Sequence, residues 1–422
     1  MIAKSGNRFS DKIFSDGSDV VALISVAEAL DHVLAHAAAL PPETVPLNDA
    51  LGRVLAADLN ALRTQPPADM SAMDGYAVRA SDVATAPVEL RVIGEVAAGR
   101  PFTRMVGAGE AARIFTGGVM PAGADTVVVQ EITKRDGDAV IVSKPVSKGR
   151  HIRRQGLDFR RGDALFTAGH RLSARDLALV AGMNHPLVPV HRRPQVALLA
   201  TGDELMPPGV EPGPGQIVYS NGFALAALAR QEGAAVVDLG LVKDELEPTV
   251  TAVRAAREGA ADILVTTGGA SVGEYDLVPK ALAAEGMALS FWKVAMRPGR
   301  PLMHGRLGGM QVLGLPGNPV SAYVCAFLFL VPLIRRLSGR SDLVMPTESA
   351  LLGSDLPEND ERADYLRATL RESTDGPIAT PFPVQDSSMM APLAKADCLI
   401  IREPYAPALS AGSRCVIVKF ER

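Results

Sequence analysis

The chain has 422 residues, of which 47% are hydrophobic and 21% charged, with a formal net charge of -4. That length predicts about three domains, and the composition is that of a globular chain rather than a fibrous or disordered one. A mildly acidic balance argues against broad nucleic-acid binding, which needs a basic surface, and three widely spaced cysteines (Cys325, Cys398, Cys415) spell neither a disulfide framework nor a CxxC metal site.

Residues 1–20 lack the apolar core of a signal peptide, so a polar, disordered lead-in and a cytoplasmic protein are expected. From Ser25, "SVAEALDHVLAHAA" has helical spacing, with Glu28 as the capping-box partner of Ser25. His32 and His36 are four apart on one face, but no third ligand stands near, so a surface pair is expected. Residues 66–159 change to short alternating runs cut by Gly, Pro and Asp-Gly turns, which predicts an inserted β domain. Helical signals return at "SARDLALVAGM", so 21–65 and 160–193 are grouped as one discontinuous helical and linker domain. Residues 194–341 alternate strand and helix, the pattern of a mostly parallel α/β sheet. The run "YVCAFLFLVPLI" from Tyr323 falls short of the ~20 residues of a membrane span and reads as a buried helix. Residues 342–422 return to short strands, predicting a C-terminal β-barrel-like module. The expected fold class is therefore multidomain α/β plus β modules.

In an open α/β sheet, ligands bind beyond the carboxyl ends of the strands. Reading only those ends gives "TGDE" with Asp203 and Glu204, "KDE" with Asp244, and "TTGGASVGEYD" from Thr266 to Asp276. They also give "RPGRP", next to Lys293 and containing Arg297 and Arg300, and "PGNP" with Pro316, Asn318 and Pro319. Gly268, Gly269 and Gly273 let the main chain aim N–H groups at an anion, with Ser271 among them. Carboxylates at Glu204, Asp244 and Asp276 would repel that anion unless a divalent cation lies between, and Mg²⁺ with one or two carboxylates and phosphate oxygens is the usual solution. Lys293, Arg297 and Arg300 then balance the remaining charge. No G-x-x-x-x-G-K-[ST] or G-x-G-x-x-G stands in this domain, which disfavours kinase-like and dinucleotide chemistry. In the β insertion, Asp69, Ser71 and Asp74, and Thr116 with Gly117 and Gly118, read by spacing alone as hairpin turns.

Several of these stretches together resemble a known family. "MSAMDGYAVR", "IFTGGVMPAGADTVVVQE", "LLATGDEL", "TTGGASVGEYD", "FWKVAMRPGRP" and "LGLPGNPVSA" occur in the order seen in molybdopterin molybdenumtransferases, the family that includes the E domain of gephyrin. The resemblance runs from about Ser25 to the C-terminus. It implies an enzyme that inserts molybdenum from molybdate into adenylylated molybdopterin and releases AMP with Mg²⁺, working as an elongated homodimer, with an adenylyltransferase as a further partner. It implies acidic and metal-side roles for Glu204, Asp244 and Asp276, and cationic roles for Lys293 and Arg297. Asp69, Thr116, Asp158 and Arg153 match functional positions of the inserted region, Pro316 and Pro319 shape the "PGNP" loop, and "QDSSMMAPLAKADCLI" places a functional serine at Ser387, with Ser388 as the neighbouring register.

Three departures stand out: "RPGRP" for the commoner "KPGKP", Ala270 for valine, and Gly118 for alanine. The first exchanges a point charge for a planar fork, and leaves open the choice between molybdate and tungstate. Two other functions compete. One is the preceding adenylyl transfer, which would not need the two β modules; the other is a non-enzymatic scaffold, against which the retained acidic and basic set weighs.

Overall fold

In a computed structural model of the chain, residues 23–100, 102–268 and 277–420 are described. They divide into two compact units: 23–43, 52–56 and 190–420 in the first, and 44–51 and 57–189 in the second.

The first unit opens with helix α1 (Val26–Leu34), capped as its sequence dictates. Ser25 Oγ accepts the Glu28 N–H at 3.2 Å, and Glu28 Oε2 accepts the Ser25 N–H at 2.8 Å. Its apolar face, Ala29 and Val33, is buried in the core of this unit, whereas the sequence pattern grouped the helix with 160–193. Burial against the long helix of the α/β layers decides its place, and that is tertiary information which helical spacing does not carry. His32 and His36 stay on the exposed face.

The α/β part follows as β1 (Gln195–Thr201), α2 (Asn221–Gln231), β2 (Ala235–Val242), α3 (Leu246–Glu258), β3 (Ile263–Thr267), α4 (Leu277–Ala284), β4 (Ala288–Trp292), β5 (Met303–Leu307), β6 (Met310–Leu315) and a long helix α5 (Pro319–Leu337). The sheet order is β2-β1-β3-β6-β5-β4. The first four strands are parallel, and β5 runs antiparallel to both neighbours. Strands β1 and β3 are buried almost throughout, as near-continuous apolar strands covered on both faces must be. Helix α5 is long and apolar enough to cross a membrane, yet 83% of its most apolar window is buried inside this unit. A π turn widens it at Ala326–Leu330, ahead of Pro332, which has no N–H to give to the preceding turn. A buried ionic cluster fixes its end: Arg335 Nε donates to Glu232 Oε2 at 2.8 Å and Arg340 Nη1 to the same oxygen at 2.9 Å.

The chain then forms β7 (Thr347–Leu352), β8 (Ala363–Arg371), β9 (Ile378–Pro381), α6 (Met390–Lys395), β10 (Cys398–Arg402) and β11 (Arg414–Lys419). The order β8-β9-β7-β11-β10, with β10 pairing back on β8, closes a small barrel. Residues Met296–Arg297 join its edge beside Ala363 and Asp364, so the "RPGRP" segment is shared between the α/β sheet and the barrel.

The second unit is built on a six-stranded sheet ordered Thr126–Val129, Gly75–Val78, Glu110–Ile114, Val88–Val96, Ala139–Val142 and Thr133–Asp136. Tyr76, Val78, Leu90, Val128 and Val140 fill its core. The predicted helix at "SARDLALVAGM" is Ala174–Gly182, with Ser173 and Asp176 forming its capping box.

Candidate functional site

The carboxyl ends of β1, β2, β3, β4 and β6 meet at one edge of the sheet. After β1, the Glu204 carboxylate folds back over Gly202, with its oxygens 2.7 and 2.8 Å from where a Gly202 Cβ would stand. After β2, the Asp244 N–H donates to Asp203 Oδ1 at 3.3 Å, so two acidic loops are tied together. After β3, Gly268 adopts φ 85°, and a side chain there would stand 2.4 Å from the Thr201 carbonyl. Glycine is required on both counts. After β6, Gly317 O accepts Asn221 Nδ2–H at 2.7 Å, joining the "PGNP" loop to the start of α2.

These loops enclose a cavity of about 630 Å³, lined by Glu204, Gly268, Pro316, Pro319 and Ser388, with Tyr219 and Asn221 on one wall. Thr201 also lines it, 3% exposed, and its Oγ1 has no hydrogen-bond partner among the described residues. A buried hydroxyl without a partner is an unused hydrogen-bonding group beside a ligand space. Burial, and then the Asp238 charge, push the Tyr219 hydroxyl up to about 12, so it stays protonated and able to donate.

Ser387 is held behind the cavity: its Oγ accepts Asn318 Nδ2–H at 2.9 Å and its carbonyl accepts the Val320 N–H at 3.0 Å. The loop that carries both serines is organised from inside by Arg367, 1% exposed, which donates to the carbonyls of Met389 at 3.0 Å and Asp386 at 2.9 Å.

The cations behave differently from one another. Lys293 immediately follows β4 with φ 92°, and Arg300 is exposed in the same loop, with its carbonyl accepting the Val294 and Leu302 N–H groups at 3.0 Å. Arg297 turns to the barrel: Nε donates to Asp364 Oδ1 at 2.7 Å, Nη2 to Asp364 Oδ2, and Nη1 to Asp360 Oδ2 at 3.3 Å. The Asp364 hydrogen bond raises the Arg297 pKa above its usual value. The fork that distinguishes "RPGRP" from "KPGKP" is thus spent on a carboxylate of the protein itself.

In the second unit, Asp69, Thr116 and Arg153 gather around the short strand Met70–Ser71. Arg153 pairs with Met70, Gly117 N–H donates to Ser71 O at 2.9 Å, and Met120 N–H to Asp69 O at 2.9 Å. Asp69 accepts from the Gln155 N–H at 2.9 Å and from Arg154 Nη1 at 2.6 Å, which hold its carboxyl below the usual range. Thr116 donates to Asp74 through both N–H, at 2.7 Å, and Oγ1, at 2.8 Å. Asp158 lies apart from that strand, with its N–H on Gln65 O at 3.0 Å. Gly118 also has a local reason: a Cβ there would stand 2.9 Å from the Phe115 carbonyl.

Gly269, Ala270, Ser271, Gly273 and Asp276 lie outside the described residues. Sequence reasoning missed Thr201, Tyr219 and Asn221. "YSNG", a polar cluster just before a helical pattern, was the available signal for two of them.

Comparison with known proteins agrees with this layout. Residues 24–183 match the family described as MoeA N-terminal region (domain I and II), 197–336 the probable molybdopterin binding domain, and 349–420 the MoeA C-terminal region (domain IV). The chain is 34% identical over 381 residues to the molybdopterin molybdenumtransferase of Haemophilus influenzae, covering 90% of this chain and 94% of that one. It is 42% identical over 305 residues to the protein of that name from Nostoc sp., covering 70% of each. The crystal structure of a molybdopterin biosynthesis MoeA protein from Pyrococcus horikoshii superposes with a TM-score of 0.81 at 31% identity, covering 95% of this chain and all of that one. The chain belongs to the molybdopterin molybdenumtransferase family.

Proposed function

We propose that this protein transfers molybdenum from molybdate into molybdopterin, with the adenylylated pterin as its substrate and AMP as its by-product. The cavity at the carboxyl edge of the sheet carries this reading: it combines a buried Thr201 hydroxyl without a partner among the described residues, the open backbone at Gly268 and the acidic residue Glu204. A phosphate-bearing ligand uses such donors, and the oxyanion adds a need for the nearby cations Lys293 and Arg300.

Among the described residues no three histidine, cysteine or acidic side chains gather closely enough to hold a metal ion; Glu204 and Asp244 match Mg²⁺ in donor type, as hard oxygen ligands. Glu204 and Asp244 would hold the ion, with Asp276 as the third acidic residue of the assignment, and Mg²⁺ would supply charge neutralisation at the pyrophosphate link. The chain's own part is positional and electrostatic. Backbone N–H groups after β3, with Ser271 among the loop residues, orient the phosphates, Tyr219 and Thr201 donate from the walls, and Lys293 and Arg300 keep molybdate beside the pterin sulfurs. Asp69, Thr116, Arg153 and Asp158 belong to the same reaction if a second copy brings its inserted region to this edge, as the homodimer of this reading requires. Three buried free cysteines suit a reducing, cytoplasmic setting, where an adenylyltransferase would deliver the substrate.

The test is AMP release from adenylylated molybdopterin and Mg²⁺, titrated with molybdate or tungstate. Glu204→Ala is expected to abolish molybdate-dependent release with an unchanged melting temperature. Release that ignores both oxyanions would overturn the reading.

A further inference from the structure

The barrel contains a second cavity, of about 650 Å³, whose inner wall includes Arg297, Asp364 and Arg402. Arg402 ends β10 and is 3% exposed. Its Nη2 donates to the carbonyls of Pro357 at 3.1 Å, Ala406 at 3.1 Å and Pro407 at 2.6 Å. Its Nε and Nη1 are buried and have no partner among the described residues. Those two nitrogens carry most of the guanidinium's N–H donors.

No carboxylate among the described residues forms an ion pair with Arg402. Asp364, directly across from it in the β8–β10 ladder, is the neighbour placed to do so, but its carboxylate is taken by Arg297. Asp360 is likewise engaged, by Arg362 Nη2 at 2.6 Å and by Arg297. Arg297 and Arg362 therefore take up Asp360 and Asp364, and Arg402, the most buried of the three, is left without an ion-pair partner among the described residues. Burying an unpaired charge is costly, and a charge left in this state is one that a ligand of opposite sign relieves. The other acids of the cavity, Asp355 and Glu358, are exposed on its rim, and Asp355 already accepts the Ala411 N–H at 2.7 Å. Solvent screens their charges, while nothing screens Arg402. The remaining walls combine apolar Leu356, Leu366, Pro381 and Phe382 with the polar side chains of Ser354, Asn359, Thr380 and Gln385.

We propose that this cavity is a binding site for an organic monocarboxylate with a flat apolar body, its carboxylate matched to Arg402 and its body packed against Phe382 and Leu366. A single uncompensated charge matches a monoanion rather than a phosphate dianion, and the apolar part of the wall at Leu356, Leu366, Pro381 and Phe382 suits an organic body rather than a fully hydrated oxyanion.

Benzoate, neutral benzamide and inorganic phosphate, each titrated calorimetrically into the full chain, test the proposal. Benzoate is expected to bind saturably and about tenfold or more tighter than benzamide or phosphate, and Arg402→Lys to weaken it about tenfold by losing the planar fork. Because Arg402 also braces three carbonyls, a second variant is needed. Thr380→Trp, at an exposed position of β9 that lines the cavity, fills the space from outside and is expected to abolish benzoate binding with the melting temperature unchanged. Equal affinity for benzamide, tighter binding of phosphate, absence of saturable benzoate binding, or benzoate binding that survives Thr380→Trp would each overturn it.

Discussion

Asn318 Nδ2 donates to Ser387 Oγ across 2.9 Å, which stitches the first turn of α5 to the barrel loop that carries Ser388 into the cavity wall. The two adjacent serines differ in setting: Ser387 is tied to α5, while Ser388, whose Oγ donates to Asp386 Oδ1 at 2.5 Å, lines the ligand space. Ser388→Ala is expected to lower kcat/KM for molybdate-dependent AMP release by about five- to tenfold, the size of one lost hydrogen bond, with no change in melting temperature. Ser387→Ala should lower the melting temperature as well as the rate. Steady-state kinetics beside thermal melts separate the two; a Ser388→Ala enzyme with wild-type kinetics would return the functional role to Ser387.

Gly268 offers a sharper test of the cavity floor. A methyl group there meets the Thr201 carbonyl at 2.4 Å, and φ 85° already disfavours any side chain. Gly268→Ala is expected to cost about 1–3 kcal/mol of stability from backbone strain. It should also cost more activity than that, because β1 and β3 must separate just where the loops diverge. Urea unfolding and AMP release on the same preparation give both numbers. An alanine variant with full activity would show that the floor of the cavity takes no part in the reaction.

The α/β alternation, the β insertion and the barrel were legible because their apolar periods are strong, and the strand-end rule picked out Glu204, Gly268, Pro316 and Pro319 without any structure. What stayed hidden depends on neighbours distant in sequence. Nothing in "SVAEALDHVLAHAA" says that α1 packs beside β4 and α5 of a domain 160 residues onward, as its Ala29 and Val33 do. Nothing in "RPGRP" says that its first arginine turns to Asp364, since that pairing is decided by the parallel ladder Met296–Arg297 makes with Ala363–Asp364. Thr201 is unremarkable in sequence, and burial without a partner among the described residues is what singles it out.

Glu232 is the keystone of the ionic cluster at the end of α5, 1% exposed at its side chain and bound by Arg335 and Arg340, which are 2% and 6% exposed. Removing Glu232 takes its carboxylate from Arg335, whereas Arg340 keeps Asp342 through Nε at 2.8 Å and Nη2 at 2.5 Å, so Glu232→Ala is expected to destabilise the first unit by about 3 kcal/mol. The cluster lies at the opposite end of α5 from Pro319, so activity measured well below the melting transition should stay near wild type. Calorimetric melting and a low-temperature assay check the two halves of this expectation. A loss smaller than about 1 kcal/mol would mean that Asp342 and water, rather than Glu232, carry the two guanidinium groups.

His304 sets the acid side of the stability profile. It is fully buried in β5, its Nε2 is 3.1 Å from Gln311 Oε1, and its Nδ1 has no partner among the described residues. Gln311 Nε2 donates to the His36 carbonyl at 3.4 Å, which leaves Oε1 as an acceptor and assigns the single imidazole proton to Nε2. A second proton would create a buried N–H at Nδ1 with nothing to accept it. Burial accordingly lowers the His304 pKa from 6.5 to about 4, outweighing the Gln311 hydrogen bond, with the charges of His32, Arg306 and His36 adding to the shift. With the folded value below the unfolded one, the unfolded chain binds the extra proton first as pH falls. Stability is therefore full above pH 6.5 and declines toward pH 4, by about 3 kcal/mol for a shift of this size. His304→Asn is expected to flatten the difference in unfolding free energy between pH 7 and pH 4.5, measured by urea denaturation, whatever its effect on stability at pH 7. A variant that keeps the wild-type slope would move this pH dependence to another group.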